Sequence, residues 1–152
     1  GFDEERWNEL RSQFKRESSK DTDSRIIATD QDPKAIGAAR KNAQTAGVDH
    51  LIEFKQCDFK ETPLPDGSDK SIVIMNPPYG DRMGDSNHLG ALYEQIGDFF
   101  KQQCTAFTGY VFTGNLELSK KIGLRTNRRI EFYNSTIDAR LLEFELFEGS
   151  KY

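Results

Sequence analysis

Short apolar runs alternate with amphipathic stretches along the chain, which is the pattern of β-strands alternating with α-helices. Six runs predict strands: residues 25–29, 52–56, 71–75, 107–113, 129–133 and 139–147. The run 71–75 is apolar almost throughout, so it is predicted to be a buried strand. Asn134-Ser135 separates the last two runs and is a plausible hairpin turn, so we expect those two strands to be antiparallel.

The amphipathic stretches predict four helices: residues 2–19, 33–46, 89–103 and 116–122. Asp32 followed by Pro33 is typical of a helix start, and Gly47 is typical of a helix end. Phe99 and Phe100 fall on an apolar helical stripe and are predicted to be core residues. Strands alternating with helices and closing in a hairpin predict an α/β fold, with a doubly wound, mostly parallel sheet in one domain spanning residues 1–152.

The strand predicted at 71–75 leads directly into Asn76-Pro77-Pro78-Tyr79. Neither proline has a backbone N–H and both fix φ, so the chain leaves the sheet rigid and extended. The ligand crevice of an α/β sheet lies at the carboxyl ends of its strands. This exit therefore offers carbonyl oxygens, the Asn76 amide oxygen and an aromatic ring to a flat group that carries an exocyclic NH2, such as a nucleobase.

Asp30 ends the first predicted strand. An acidic side chain at this position can accept hydrogen bonds from both hydroxyls of a bound ribose. It can also simply support the turn at Asp32-Pro33. Position alone leaves both interpretations open.

The sequence resembles a known family. Asn-Pro-Pro-Tyr at the end of a strand is the signature of amino methyltransferases that use S-adenosylmethionine. The strings NPPYGDRMG, TDQDPKAIGAARKNAQTAG and FYNSTIDARLLEFEL are together similar to the catalytic domain of ribosomal RNA guanine-N2 methyltransferases, whose full-length members carry a THUMP RNA-binding domain. The resemblance implies a Rossmann-like sheet, S-adenosylmethionine as cofactor, and 23S-type ribosomal RNA as substrate and partner.

The same resemblance implies a cofactor site. Asp30 would bind the ribose, and Gln31 would lie at the edge of the adenine. Asp58 would accept a hydrogen bond from the adenine amino group, with Phe59 packed on the ring. Asp58 and Phe59 also have a simpler interpretation, as a loop residue and a core residue.

The resemblance further implies the catalytic site. Asn76, next to the cofactor, and the Pro77 carbonyl would direct the amine toward the methyl group, with Pro78 keeping the exit stiff. Tyr79 would stack on the target base. Arg82 would bind an RNA phosphate or the cofactor carboxylate, although a surface salt bridge is an equal alternative.

One expected feature is missing from the sequence. Methyltransferases of this fold begin with a strand and a glycine-rich turn, but after Gly1 the next glycine is Gly37, inside a predicted helix. In the family topology the missing strand lies between the strands at 25–29 and 71–75. We therefore expect the chain to be the C-terminal portion of a longer protein, with a sheet that is split and exposes two long edges.

The net charge of -4 is unusual for an RNA enzyme, because phosphate contacts normally dominate affinity. Either basic residues gather locally, at Lys120-Lys121 and 125–129, or another domain supplies the charge. No apolar stretch is long enough for a membrane span and no signal peptide opens the chain, and the cysteines and histidines lack metal-ligand spacing. We expect a cytoplasmic protein with no membrane or metal partner.

Two other functions remain open. Asn-Pro-Pro-Tyr alone does not distinguish guanine from adenine, so N6-adenine methylation of DNA or RNA is an alternative. The absent glycine-rich turn suggests a third possibility, an inactive methyltransferase fold that serves as an RNA-binding or interaction module.

Overall fold

The structure is a computed structural model that describes residues 1–19, 21–68, 71–79, 86–134 and 137–147. Its helices are α1 Glu4–Glu17, α2 Pro33–Ala46, α3 Ser86–Gln103 and α4 Leu116–Ser119. Its strands are β1 Ile26–Asp30, β2 Ile52–Gln56, β3 Ser71–Met75, β4 Phe107–Thr113, β5 Arg128–Asn134 and β6 Ile137–Glu145. The chain divides into two compact units, Gly1–Pro63 and Leu64–Tyr152, here called the first and the second unit.

The first unit contains a parallel pair of strands, β1 and β2, with Ile26 opposite Ile52. The helix between them begins and ends where the sequence predicts. Asp32 caps α2 by accepting a hydrogen bond from the Lys34 N–H, and Gly47 ends it in the left-handed conformation with φ of 71°. The preceding helix, α1, is also confirmed, although none of its residues is buried.

The second unit contains a four-stranded sheet in the spatial order β3-β4-β6-β5. Strand β3 runs parallel to β4, and β6 runs antiparallel to both β4 and β5. Strands β3, β4 and β5 therefore point in the same direction, and their carboxyl ends meet at one edge of the sheet, here called the carboxyl edge. The predicted antiparallel pairing of the last two strands is confirmed, while Ser135 of the predicted turn lies outside the described residues.

Helix α3 packs on one face of this sheet, here called the α3 face. The Phe100 ring lies 5.9 Å from the Phe144 ring, and both side chains are fully buried. Val111 and Leu142 face each other across β4 and β6 on the same face and are also buried. The core of the second unit lies between this face and α3, and it includes Phe99, so the predicted core position of the phenylalanine pair is confirmed.

The prediction that residues 71–75 form a buried strand is wrong. The strand is present with the predicted limits, but Ile72 and Ile74 are 63% and 66% exposed. Side chains alternate between the two faces of a strand, so these isoleucines lie on the face opposite α3. Among the described residues, β3 is an edge strand that pairs with β4 alone. Its two isoleucine side chains are therefore not flanked by side chains of a second neighbouring strand.

The expected splitting of the sheet is confirmed. Strands β1 and β2 form one sheet, and β3 belongs to the other. Several limits differ from prediction by one to three residues, among them those of α1, β1 and β5. Helix α3 begins at Ser86, β6 runs from Ile137 to Glu145, and the predicted helix at 116–122 is α4 followed by a short 3-10 turn over Lys120–Ile122.

Candidate functional site

In the first unit, Asp30 ends β1 and is held by local hydrogen bonds. One carboxylate oxygen accepts a hydrogen bond from the Asp32 N–H at 2.8 Å, and its backbone carbonyl accepts one from the Cys57 N–H at 3.1 Å. The Gln31 carbonyl accepts a bond from the Gln56 side-chain amide at 3.3 Å. Asp30 therefore does support the turn into α2, while its side chain remains exposed to solvent.

Asp58 follows β2 and has a similar local structure. One carboxylate oxygen accepts a hydrogen bond from the Lys60 N–H at 2.9 Å, and the other lies 3.6 Å from the Lys60 ammonium. That ammonium lies 5.9 Å from the centre of the Phe59 ring. Asp58 and Phe59 are both half-buried.

The structure thus brings four of the five predicted cofactor residues, Asp30, Gln31, Asp58 and Phe59, to one edge of the β1–β2 pair, while the fifth, Asn76, follows β3 in the second unit. Both carboxylates accept a bond from the N–H two residues further along, which fixes the side-chain orientation. The edge presents two oriented carboxylates and an aromatic ring, which are groups suited to a nucleoside.

In the second unit, Asn76 follows β3 at the carboxyl edge and is exposed. Pro77 is buried, Pro78 is exposed and Tyr79 is half-buried. The Tyr79 ring meets the Phe112 ring edge-to-face, with 6.5 Å between centroids and 72° between planes. The buried proline anchors the exit from the strand, and Asn76 is not turned into the protein interior.

Arg82, which is predicted to bind substrate, lies outside the described residues, as do Gly80 and Gly84 beside it. The structure therefore assigns no position to this side chain.

Sequence reasoning missed a buried polar network at the end of β4. The hydroxyls of Tyr93 and Thr113 lie 2.8 Å apart, and both side chains are fully buried. Thr113 also accepts a hydrogen bond from the Asn115 N–H at 3.1 Å. Burial raises the pKa of Tyr93, the bond with Thr113 opposes this, and the nearby Tyr79 hydroxyl adds to the increase.

The two lysines of the predicted basic cluster are paired with acids. The Lys120 ammonium lies 2.7 Å from Glu117, and the Lys121 ammonium lies 3.2 Å from Glu94. These ion pairs are exposed, and they reduce the positive charge that this surface can offer to a phosphate.

Both cysteines are buried, and the part of the chain that the structure describes contains no cluster of metal ligands. Cys57 and Cys104 are free and buried, and burial raises the pKa of the Cys104 thiol to about 12, so it stays protonated at neutral pH. Within the described ranges no three histidine, cysteine or carboxylate side chains are grouped as metal ligands. The helices in those ranges include none with the length and hydropathy of a membrane span.

Known proteins similar to this chain are methyltransferases. The chain is 38% identical over 125 residues to a ribosomal RNA large subunit methyltransferase K/L of Syntrophotalea carbinolica, covering 81% of this chain and 18% of that protein. It is 35% identical over 146 residues to a putative RNA methyltransferase of Synechocystis, covering 96% of this chain and 38% of that protein. A solved structure of a putative methyltransferase complexed with SAH has a TM-score of 0.76 at 23% identity, over 99% of this chain and 38% of that one, which shows a shared fold.

The chain therefore spans well under half the length of these curated relatives. The model of the UPF0020 family, described as an RMKL-like methyltransferase domain, matches residues 1–143. By this match and by these relatives, the chain belongs to the UPF0020 family of RMKL-like methyltransferase domains.

Proposed function

We propose that this chain is the catalytic domain of an RNA methyltransferase that transfers a methyl group from S-adenosylmethionine to the exocyclic N2 of a guanine in large-subunit ribosomal RNA. The observation that carries the proposal is the exit from β3. There, an exposed Asn76 follows the strand at its carboxyl end, a buried Pro77 anchors the backbone, and Tyr79 lies beside it. The names of the relatives support RNA as the substrate class.

The proposed chemistry depends on two acceptors. An exocyclic amine of guanine is a poor nucleophile because its lone pair is delocalised into the ring. The Asn76 side-chain oxygen and the Pro77 carbonyl would each accept a hydrogen bond from the amine. These two bonds would direct the nitrogen lone pair at the methyl group and stabilise the positive charge that develops on nitrogen. As the N–C bond forms, the bond between sulfur and the methyl carbon would break and S-adenosylhomocysteine would leave. The methylated nitrogen would then lose its extra proton to water, so neither acceptor has to gain a proton and the motif needs no strong base. Tyr79 stacks on the base and holds it in line.

S-adenosylmethionine supplies a methyl group on a positively charged sulfur. Asp30 would accept hydrogen bonds from the ribose hydroxyls, and Asp58 would accept one from the adenine amino group. Phe59 would pack on the adenine, and Gln31 would lie at its edge. The support is that both carboxylates are already oriented by backbone N–H groups, so little ordering is required when the nucleoside binds.

The affinity for RNA is proposed to come largely from other parts of the protein. The net charge is -4, and the two lysines of the basic cluster are paired with acids. A THUMP RNA-binding domain, as in the resembling enzymes, would supply the missing positive charge. We propose that the reaction takes place in the cytoplasm, in keeping with a ribosomal RNA substrate.

Mass spectrometry of nucleosides tests the reaction. The purified full-length protein is incubated with unmodified large-subunit ribosomal RNA and isotope-labelled S-adenosylmethionine, and the RNA is then digested to nucleosides. We expect labelled N2-methylguanosine. Labelled N6-methyladenosine would replace the proposal with the adenine alternative, and no labelled nucleoside together with RNA binding would favour the inactive module.

Substitution of Asn76 tests the mechanism. Asn76→Ala removes one acceptor that acts in the transition state, so turnover should fall by roughly 10²-fold or more. Cofactor affinity should stay nearly unchanged. Asn42, an exposed residue of α2, is a matched control, and Asn42→Ala should leave turnover unaltered. Turnover of Asn76→Ala at the wild-type level would exclude Asn76 from the mechanism.

A further inference from the structure

Three aromatic rings lie in a line at the carboxyl edge of the second unit. The Tyr79 ring contacts the Phe112 ring, with centroids 6.5 Å apart, and the Phe112 ring contacts the Phe132 ring, with centroids 5.9 Å apart. The planes of each contacting pair meet at 72°. Tyr79, Phe112 and Phe132 are here called the aromatic row.

The aromatic row starts at the proposed catalytic residues and runs across the sheet. Phe112 lies one residue before the end of β4, and Phe132 lies two residues before the end of β5. Both strands point in the same direction as β3, so both rings lie near the same edge as Asn76. Phe132 is therefore within two ring spacings of Tyr79.

The aromatic row lies on the sheet face opposite α3, where Ala139, the residue paired with Phe132, is fully buried. Val111 and Thr113, the neighbours of Phe112 on β4, are fully buried on the α3 face, so Phe112 points to the opposite face. Phe112 is half-buried, whereas Phe132 is 44% exposed. Edge-to-face contacts fix the middle ring and leave the outer phenylalanine accessible at the end of the row.

We propose that Phe132 is the stacking site for a second unpaired nucleobase, the one adjacent in the RNA strand to the target base on Tyr79. This inference rests on the proposed function, because the RNA strand must already lie at Tyr79. The flanking nucleotide then lies within reach of the other end of the row. Every nucleobase offers a π-face, and base–aromatic stacking contributes about 1–3 kcal/mol per base without requiring a particular sequence.

The site has a structural consequence for substrate choice. Two rings on one rigid sheet can each hold a base only if the two bases are unstacked from each other. The aromatic row therefore selects single-stranded or looped RNA over a continuous duplex, in which neighbouring bases stay stacked.

Fluorescence of 2-aminopurine tests the subsite. The probes are two single-stranded heptamers of uridine with one central guanine, carrying 2-aminopurine directly 5′ or directly 3′ of that guanine. Stacking on a protein ring quenches this fluorophore. We expect titration with the protein to quench one of the two probes, and Phe132→Ala to abolish that quenching and weaken binding by about 5- to 150-fold.

Matched variants separate stacking from folding. Phe132→Trp should retain the quenching, whereas Phe132→Leu, which keeps an apolar side chain on β5, should lose it. Tyr133 is adjacent in sequence, 76% exposed and on the other face of the strand, so Tyr133→Leu should behave as wild type. If Phe132→Ala does not fold, Phe132→Leu decides the result.

The outcomes distinguish this inference from the proposed function. Unquenched probes with wild-type protein, wild-type quenching in Phe132→Leu, or equal loss in Tyr133→Leu would each overturn the subsite, even if methyl transfer is observed. Phe132-dependent quenching without methyl transfer would leave the subsite standing and overturn the enzymatic proposal.

Discussion

Asp30 and Asp58 each have a local role in the backbone that is compatible with the proposed role in binding a ligand. In each, one carboxylate oxygen accepts a bond from the N–H two residues along, at 2.8 Å and 2.9 Å. Such a bond fixes the carboxylate, and a fixed acceptor loses less entropy when it binds a hydroxyl. The structural and the functional interpretations of Asp30 are therefore compatible.

Two substitutions of Asp30 separate these roles. Asp30→Asn keeps an oxygen for the Asp32 N–H but loses the negative charge and one acceptor, so it should fold normally and bind S-adenosylmethionine more weakly. Asp30→Ala should lose both functions. A hydrogen bond to a charged group contributes about 1.5–3 kcal/mol, which corresponds to roughly 10- to 150-fold in Kd by titration calorimetry. Unchanged affinity in both variants would leave Asp30 with a structural role alone.

The buried hydroxyl of Tyr93 should stabilise the folded protein through its hydrogen bond with Thr113. Tyr93→Phe leaves the ring in place and removes the buried bond to Thr113, so unfolding should require about 1 kcal/mol less free energy. The urea midpoint should decrease with an unchanged slope. The same change at the exposed Tyr133 should have no measurable effect. Equal midpoints for the Tyr93 variant and the wild type would contradict a stabilising network.

Site residues differ in how far the sequence alone can identify them. Asp30 ends β1 and Asn76 follows β3, and these positions together with the resemblance to a known family selected both residues as candidates. Tyr93 and Thr113 are 20 residues apart, and Phe132 is more distant still from Tyr79. Their pairing depends on how strands and helices assemble, so no local pattern distinguishes them from ordinary core or surface positions.

At the scale of elements, capping residues in the sequence predict where a helix begins and ends, but the sequence pattern does not predict which side chains are buried. Asp32-Pro33 and Gly47 gave the limits of α2, because caps act within one turn. Periodicity also found α1, yet its apolar residues Trp7 and Phe14 are exposed. The exposed Ile72 on β3 has the same explanation, since burial depends on distant segments of chain.

Gly97 controls the packing of α3 against the 3-10 turn at Lys120–Ile122. A Cβ at this position would lie 2.8 Å from the Ile122 carbonyl carbon and closer still to its oxygen, and backbone cannot move aside easily. Gly97→Ala should therefore destabilise the protein by about 1–3 kcal/mol in thermal or urea unfolding.

Gly90 provides the matched control, because it lies in the same helix and a Cβ there meets no described residue within 4 Å. Gly90→Ala should raise the free energy of unfolding by about 0.5–1 kcal/mol through helix propensity. Similar effects of the two substitutions would show that helix propensity, rather than the contact with Ile122, determines the outcome at Gly97.

At the scale of the whole molecule, the buried apolar side chains are distributed unevenly. The buried residues described in the first unit are Ala43 and Cys57, which are both small. The second unit contains large buried side chains such as Phe100 and Phe144. Local opening costs least where little apolar surface is buried. The two units should therefore differ in dynamics.

Hydrogen exchange followed by mass spectrometry measures this difference. Amides of β4 and β6 should exchange most slowly, because β4 alternates fully buried and half-buried positions and pairs on both sides. Amides of α1 should exchange fastest among the helices, since none of its residues is buried. Protection of α1 equal to that of β4 would contradict this prediction.

The fold class was predictable from order alone, because strands alternate with helices and end in a hairpin. The division into two sheets was also expected, because the sequence lacks one strand of the family pattern. The faces of these sheets were not predictable. The α3 face is defined by Phe100 meeting Phe144, a contact between residues that are 44 positions apart in the sequence.

Strand β3 has a practical consequence for anyone who concentrates this protein. The aliphatic side chains of Ile72 and Ile74 are exposed to solvent. In the described part of the chain, the backbone of β3 forms a hydrogen-bond ladder with β4 alone. Such a margin can template the growth of intermolecular β-structure. Aggregation should therefore increase steeply with protein concentration. Turbidity on storage should appear before any loss of native secondary structure, because it would arise from pairing at this edge strand.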